Sequence, residues 1–176
     1  RWLGEGAKLL QLEGPVDAFR LDELIAGRLP NGVSLERMEG GINVHRSGYD
    51  LTFSAPKSVS VLIALYGENR LLEAWNRGVS ETLKEVESLV SSRVMKEGET
   101  ETQLTQKAVI ATFNHDTSRN LDPQLHTHAL FLLTSPTESG WRTLASGTVR
   151  KDGFIEAVYA NQLALGQIQL NLLRRQ

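Results

Sequence analysis

Two apolar segments, residues 107–115 and 125–134, constrain this chain more than any other feature in it. Each is long enough for a strand, and each is apolar on both alternating faces except where histidines interrupt it. A strand of that kind belongs in the middle of a sheet covered on both sides. The intervening residues, 116–124, are enough for a loop that lets the two segments pair antiparallel.

The rest of the pattern arranges itself around that pair. In residues 15–29, Val16, Phe19, Leu24, Ile25 and Leu29 recur at helical spacing, and Pro30-Asn31-Gly32 ends the run with turn chemistry. Residues 36–47 are Gly-rich and polar and read as a loop. Residues 49–54 alternate as a strand, with Tyr49, Leu51 and Phe53 on one face and Asp50, Thr52 and Ser54 on the other. Ser54 then reads as a helix cap, with Pro56 in the first turn. That helix is expected to run through Val59, Leu62, Ile63 and Tyr66 to Gly67. Residues 70–90 predict a longer helix whose Leu72, Trp75, Val79, Leu83, Val86 and Val90 form one core-facing stripe. Residues 93–96 and 141–144 predict short strands. A last helix is expected from Phe154, through Ile155, Val158, Tyr159, Leu163 and Leu170. A strand, then helices, then clustered strands, then a helix is the order of an α+β fold with an antiparallel sheet.

Composition narrows the chemistry. No cysteine is present, which removes disulfides, Cys-ligated zinc and iron–sulfur clusters together. The net charge of −2 argues against indiscriminate binding to nucleic acid. The acidity is local: residues 68–101 carry a net −3 and the remainder a net +1, so a small basic groove for a single strand is compatible with it. No apolar run approaches the roughly 18 residues of a membrane span, and no leader pattern is visible. The chain begins at Arg1, and the expectation is one domain, residues 1–176, truncated at both ends.

Three of the four histidines, His115, His126 and His128, fall within fourteen residues. His126 and His128 are two apart on a predicted strand, so both point to one face. If the two apolar strands pair, His115 lands beside them. Three nitrogens then converge with one coordination side open, which is the arrangement of a catalytic metal site. Taken separately, each histidine would be an ordinary hydrogen-bonded residue; the spacing argues for treating them as a set. His45 stands alone in the polar loop and receives no role. Asp50, a carboxylate on the polar face of a strand, suits the N–H of a ligand histidine. Asp122-Pro123 reads as turn chemistry. Lys57 near a helix start and Arg119 between the histidines are candidates for phosphate contact, with Arg150-Lys151 a weaker pair of the same kind.

At these residues the chain resembles a known family. Tyr49-Asp50-Leu51-Thr52-Phe53-Ser54-Ala55-Pro56-Lys57-Ser58, then Phe113-Asn114-His115-Asp116-Thr117-Ser118-Arg119, then Asp122-Pro123-Gln124-Leu125-His126-Thr127-His128 are similar to conjugative relaxases of the TraI/TrwC (MobF) type. These belong to the HUH endonucleases, named for a His-hydrophobic-His motif whose middle position here is Thr127. The stretch from Phe154 to Gln162 fits as well.

The resemblance implies a five-stranded antiparallel palm flanked by helices. It implies nicking of single-stranded DNA at a plasmid origin of transfer, through a tyrosine joined to the 5′ phosphate. His115, His126 and His128 are implied as ligands of a divalent metal, Mg or Mn by the family's habit; by ligand type alone Zn, Co or Ni also suit. Asp50 is implied as the acid that orients a ligand histidine and helps take the tyrosine proton, and Arg119 as a DNA contact. Relaxosome accessory proteins, a coupling protein and a bacterial cytoplasmic setting follow from the same resemblance, as does a helicase elsewhere in the parent protein. The family's nucleophilic tyrosines precede the segment matching Arg1-Trp2. Tyr49, Tyr66 and Tyr159 are not credible substitutes, the last two being expected in the core, so this stretch is expected to bind metal and DNA without cleaving. Two other readings stay open: a metal-dependent hydrolase activating water at the same histidines, and a non-catalytic single-strand-binding module related to replication initiators.

Overall fold

The computed structural model describes residues 1–43, 45, 47–96 and 98–145. In chain order its elements are β1 (Trp2–Leu3), α1 (Glu5–Leu9), α2 (Ala18–Ala26), β2 (Met38–Glu39), β3 (Ile42–Asn43), β4 (Gly48–Ser54), α3 (Lys57–Tyr66) and α4 (Asn69–Glu87). The strands β5 (Ser91–Lys96), β6 (Glu99–Leu104), β7 (Val109–Thr117), β8 (Pro123–Leu132), β9 (Ser135–Thr137) and β10 (Gly140–Arg142) follow. The expected helix from Phe154, together with Tyr159, Arg150 and Lys151, lies outside the described residues.

The two apolar segments are β7 and β8, and they occupy the centre of an antiparallel sheet of order β1-β7-β8-β4. Among the described residues this ladder has four strands; β5 with β6, β9 with β10, and β2 with β3 form separate hairpins. Alternation divides the central strands between two cores. Val109, Ala111 and Leu132 join Trp2, Leu10, Leu12, Leu24 and Leu29 under α1 and α2. Ile110, Ala129 and Phe131 face the other way, against Val79 and Leu83 of α4. The α4 stripe is therefore a core face, as its spacing predicts.

Several boundaries differ from the sequence expectation for local reasons. Helix α2 begins at Ala18 because the Asp17 carboxylate accepts the Arg20 N–H at 2.9 Å. It stops at Ala26 because Gly27 takes a left-handed φ of 90°, although Leu29 beyond it is still buried. Ser54 does not cap α3; it is the last residue of β4, and Pro56 stands at the cap position without a side-chain bond. The side of α3 that faces the protein is marked by Ser60, 3% exposed, whereas Tyr66 is 72% exposed and not a core residue. Helix α3 is apolar almost all round, so periodicity could not choose its buried face. The polar loop of residues 36–47 contains the β2–β3 hairpin, turned by Gly40 and Gly41, both at positive φ. His45 packs its ring near Gly27, and burial lowers its pKa.

The start of β7 is fastened by a buried carboxylate. Glu87, 7% exposed, accepts the backbone N–H of Glu5 at 2.7 Å and that of Ala108 at 2.7 Å through the same Oε1. One side chain at the end of α4 thus ties α1 to the strand that carries His115. The approach is close: a Cβ added to Gly4 would lie 2.3 Å from the Ala108 carbonyl oxygen. Glu87→Ala leaves both N–H groups without their acceptor and is expected to destabilise the fold by about 3 kcal/mol. Glu87→Gln keeps a carbonyl acceptor and should lose less than half of that, measured for both by urea unfolding.

Candidate metal centre

Antiparallel pairing sets His115 directly opposite His126 across the β7–β8 ladder. His128 lies two residues further along β8 on the same face, opposite Thr52 of β4. The three rings form a nearly equilateral triangle with centroid separations of 5.1, 5.4 and 5.2 Å. Imidazoles binding one ion through a single nitrogen at about 2.1 Å, spread at tetrahedral angles, have centroids about 5 Å apart. The spacing therefore fits one ion. No group of three His, Cys, Asp or Glu side chains among the described residues already has its ligating atoms closed around a point.

Hydrogen bonds divide the two nitrogens of two of these rings. Nδ1 of His128 lies 2.7 Å from Asp50 Oδ2 and 3.2 Å from Thr52 Oγ1. A carboxylate can only accept, so in the neutral ring the proton sits on Nδ1 and Nε2 keeps its lone pair. The ring of His126 has its Nδ1 at 2.9 Å from the Gln124 carbonyl, with the same consequence. The sequence expectation that Asp50 meets a histidine thus corresponds to a direct contact, and the partner is His128. The donor set suits a divalent transition metal by chemistry: neutral imidazoles with a bare Nε2 and a partner behind each of two rings.

The histidines open on a cleft of about 450 Å³ lined by Thr117, Ser118, Arg119 and Gln124 as well as the three rings. Arg119 is therefore brought to the histidines. Lys57 opens α3, is exposed, and is not part of that lining. The strands run further than the sequence suggested, to Thr117 and from Pro123, with a register slip between His115 and Thr117. A tight turn closes them, in which Ser118 N–H donates to the Asp122 carbonyl at 2.9 Å. Tyr49 is half exposed on the β4 face opposite Asp50, and Tyr66 ends α3, so neither reaches the cleft by its place in the fold.

Sequence reasoning missed what lies behind the histidines. On the α4 side of the sheet, the Trp75 indole N–H donates to Thr127 Oγ1 at 2.9 Å. Thr127 Oγ1 donates in turn to Asn114 Oδ1 at 2.8 Å, and Asn114 Nδ2 donates to Asn76 Oδ1 at 2.7 Å. Asn114 and Thr127 are paired across the ladder, one residue before His115 and one after His126. The signal available in the sequence was Thr127, a polar residue at a buried position between Leu125 and Ala129; Asn114 beside it is exposed and carried none.

The TrwC relaxase family matches residues 1–175. The chain is 51% identical over 176 residues to the multifunctional conjugation protein TraI of Escherichia coli (strain K12), covering 100% of this chain and 10% of that protein. It is similar to the conjugative relaxase TrwC in complex with oriT DNA, in a metal-bound structure, with TM-score 0.80 and 36% identity over 99% of this chain and 59% of that one. It is equally similar, at TM-score 0.80 and 36% identity over 99% of this chain and 61% of that one, to TrwC complexed with a 27-mer DNA comprising the recognition hairpin and the cleavage site. The chain thus spans about a tenth of the curated relative and about three-fifths of the solved chains. With a family match along nearly its whole length and the same fold as the solved members, the chain belongs to the TrwC relaxase family.

Proposed function

We propose that residues 1–176 are part of one relaxase domain that nicks and rejoins single-stranded DNA at a plasmid origin of transfer. The observation that carries this is the triangle of His115, His126 and His128, backed by Asp50 and opening on a cleft that holds Arg119. In this reading the three histidines hold a divalent ion, Mg or Mn by family habit. When bound, that ion supplies Lewis-acid polarisation of a phosphate oxygen.

The chain's own residues do the rest. Asp50 accepts the Nδ1–H of His128, holding the ring with Nε2 toward the cleft, and the Gln124 carbonyl does the same for His126. The Arg119 guanidinium binds a DNA phosphate by charge-assisted hydrogen bonds. Lys57, at the start of α3, offers a second and more distant phosphate contact, and Arg150 a third. The attacking group in this reading is a tyrosine; Tyr49 and Tyr66, the two among the described residues, do not face the cleft. Its oxygen forms the new bond to the 5′ phosphorus as the bond to the 3′ oxygen breaks; the proton lost by the tyrosine balances the one the 3′ hydroxyl gains. One ester replaces another, so the same site can reverse the reaction. Accessory proteins of the transfer complex and a coupling protein are the partners this role requires, in the bacterial cytoplasm. Among the described residues no helix is long and apolar enough to cross a membrane.

The test is a labelled single-stranded oligonucleotide carrying the transfer origin, incubated with the full-length natural protein. A covalent protein–DNA adduct is expected, abolished by chelation and restored by Mn²⁺. Free 5′ ends without adduct would instead indicate water activation and overturn the proposal. His126→Ala should lower adduct formation by a factor of about 100 or more, consistent with loss of a group acting on the transition state. Asp50→Ala should weaken Mn²⁺ binding about 10–100-fold by titration calorimetry, as loss of a histidine's carboxylate partner does elsewhere. Arg119→Ala should weaken binding to the oligonucleotide and reduce the slope of log K against log salt by about 0.7, the value for one phosphate contact on a single strand.

A further inference from the structure

We propose that Thr127 is a positioning residue for the three histidines: its buried hydroxyl fixes the spacing between His115 on β7 and His126 and His128 on β8. The inference rests on the reading of those histidines as a metal site. Thr127 is 2% exposed, and its neighbours on the same face of β8, Leu125, Ala129 and Phe131, are apolar and buried. A hydroxyl in such a place is costly unless both its donor and acceptor capacities are used. Here both are: it accepts from Trp75 Nε1 at 2.9 Å and donates to Asn114 Oδ1 at 2.8 Å.

The location of this chain of bonds gives it more than a packing role. Trp75 and Asn76 are consecutive on α4, and Asn114 closes the circuit through Asn76 at 2.7 Å. Four side chains therefore join α4, β7 and β8 at one level, and that level is the one carrying the histidines on the opposite face. Immediately beyond it the β7–β8 ladder loses regular register, between His115 and Thr117. Backbone pairing past His115 is irregular, so it constrains the approach of His115 to β8 less than a regular ladder would. The Asn114–Thr127 link, one residue back, fixes that approach through side chains. Trp75 anchors the link to a helix whose own core contacts, Val79 and Leu83, are firm. Valine at position 127 would fill the same volume but remove the acceptor of the Trp75 indole N–H and the cross-strand bond to the exposed Asn114 amide, freeing the two strands to readjust.

The full-length natural protein would be titrated with Mn²⁺ alone, and separately with Co²⁺ alone, whose visible absorption reports ligand geometry. Urea unfolding of the same samples without metal gives stability. Thr127→Val is expected to lower Mn²⁺ affinity about tenfold and to change the Co²⁺ spectrum under conditions where the protein remains folded. Thr127→Ser, which keeps the hydroxyl, should restore both. Trp75→Phe, which removes only the N–H from the circuit, should lower affinity in the same direction and serves if the valine variant does not fold. Loss of stability with unchanged metal affinity and an unchanged Co²⁺ spectrum would overturn the proposal and leave Thr127 as packing. If the unaltered protein binds neither ion, the metal reading itself falls and takes this inference with it.

Discussion

The register between β7 and β8 is the constraint on which everything else depends. Val109 opposite Leu132, Asn114 opposite Thr127 and His115 opposite His126 are successive consequences of one alignment. Side chains alternate along a strand, so a slip of one residue would turn every side chain of that strand to the other face. For β8, His126 and His128 would then lie on the α4 side, and Ala129 and Phe131 would leave the core they share with Val79 and Leu83. The apolar content of both strands makes such a slip costly at many positions at once. The site inherits its precision from the core and not from interactions of its own.

Much of this was legible in the sequence. The apolar character of residues 107–115 and 125–134 placed them at the centre of a sheet, and the two-residue spacing of His126 and His128 put both on one face. Asp50 is a carboxylate on the polar face of a strand, where it needs a partner, and it stands 2.7 Å from His128. What was not legible came from two sources. Where a segment is apolar all round, as in α3, periodicity carries no direction, and the expected burial of Tyr66 was wrong. Where a segment is polar, strands can form that no apolar alternation announces. Residues 99–104 form β6 against β5 with almost every side chain exposed, and Gly40-Gly41 turns a small hairpin inside what reads as loop.

Glu87 illustrates a third limit. In the sequence it is one acidic residue among many near the end of a helix. Its function in the fold depends on two backbone N–H groups, from Glu5 and Ala108, that lie far from it along the chain. No local pattern encodes such a meeting. The close packing of Gly4 and Gly6 against the Ala108 carbonyl is of the same kind: the need for glycine is set by a strand over a hundred residues away.

The division of β7 and β8 into an apolar length and a histidine-bearing length has a consequence for how the protein answers to its environment. In many small metal-binding domains the ion is what gathers the ligands, and removing it unfolds the chain. Here the gathering is done by Val109, Ala111, Ile110, Phe131 and Leu132, all buried and none near an ion's reach in the sequence order of the strands. Ligand binding and folding are thus separable in this architecture. In the proposed reading of the three histidines, removal of the ion therefore leaves assembled the scaffold that aims the three imidazoles.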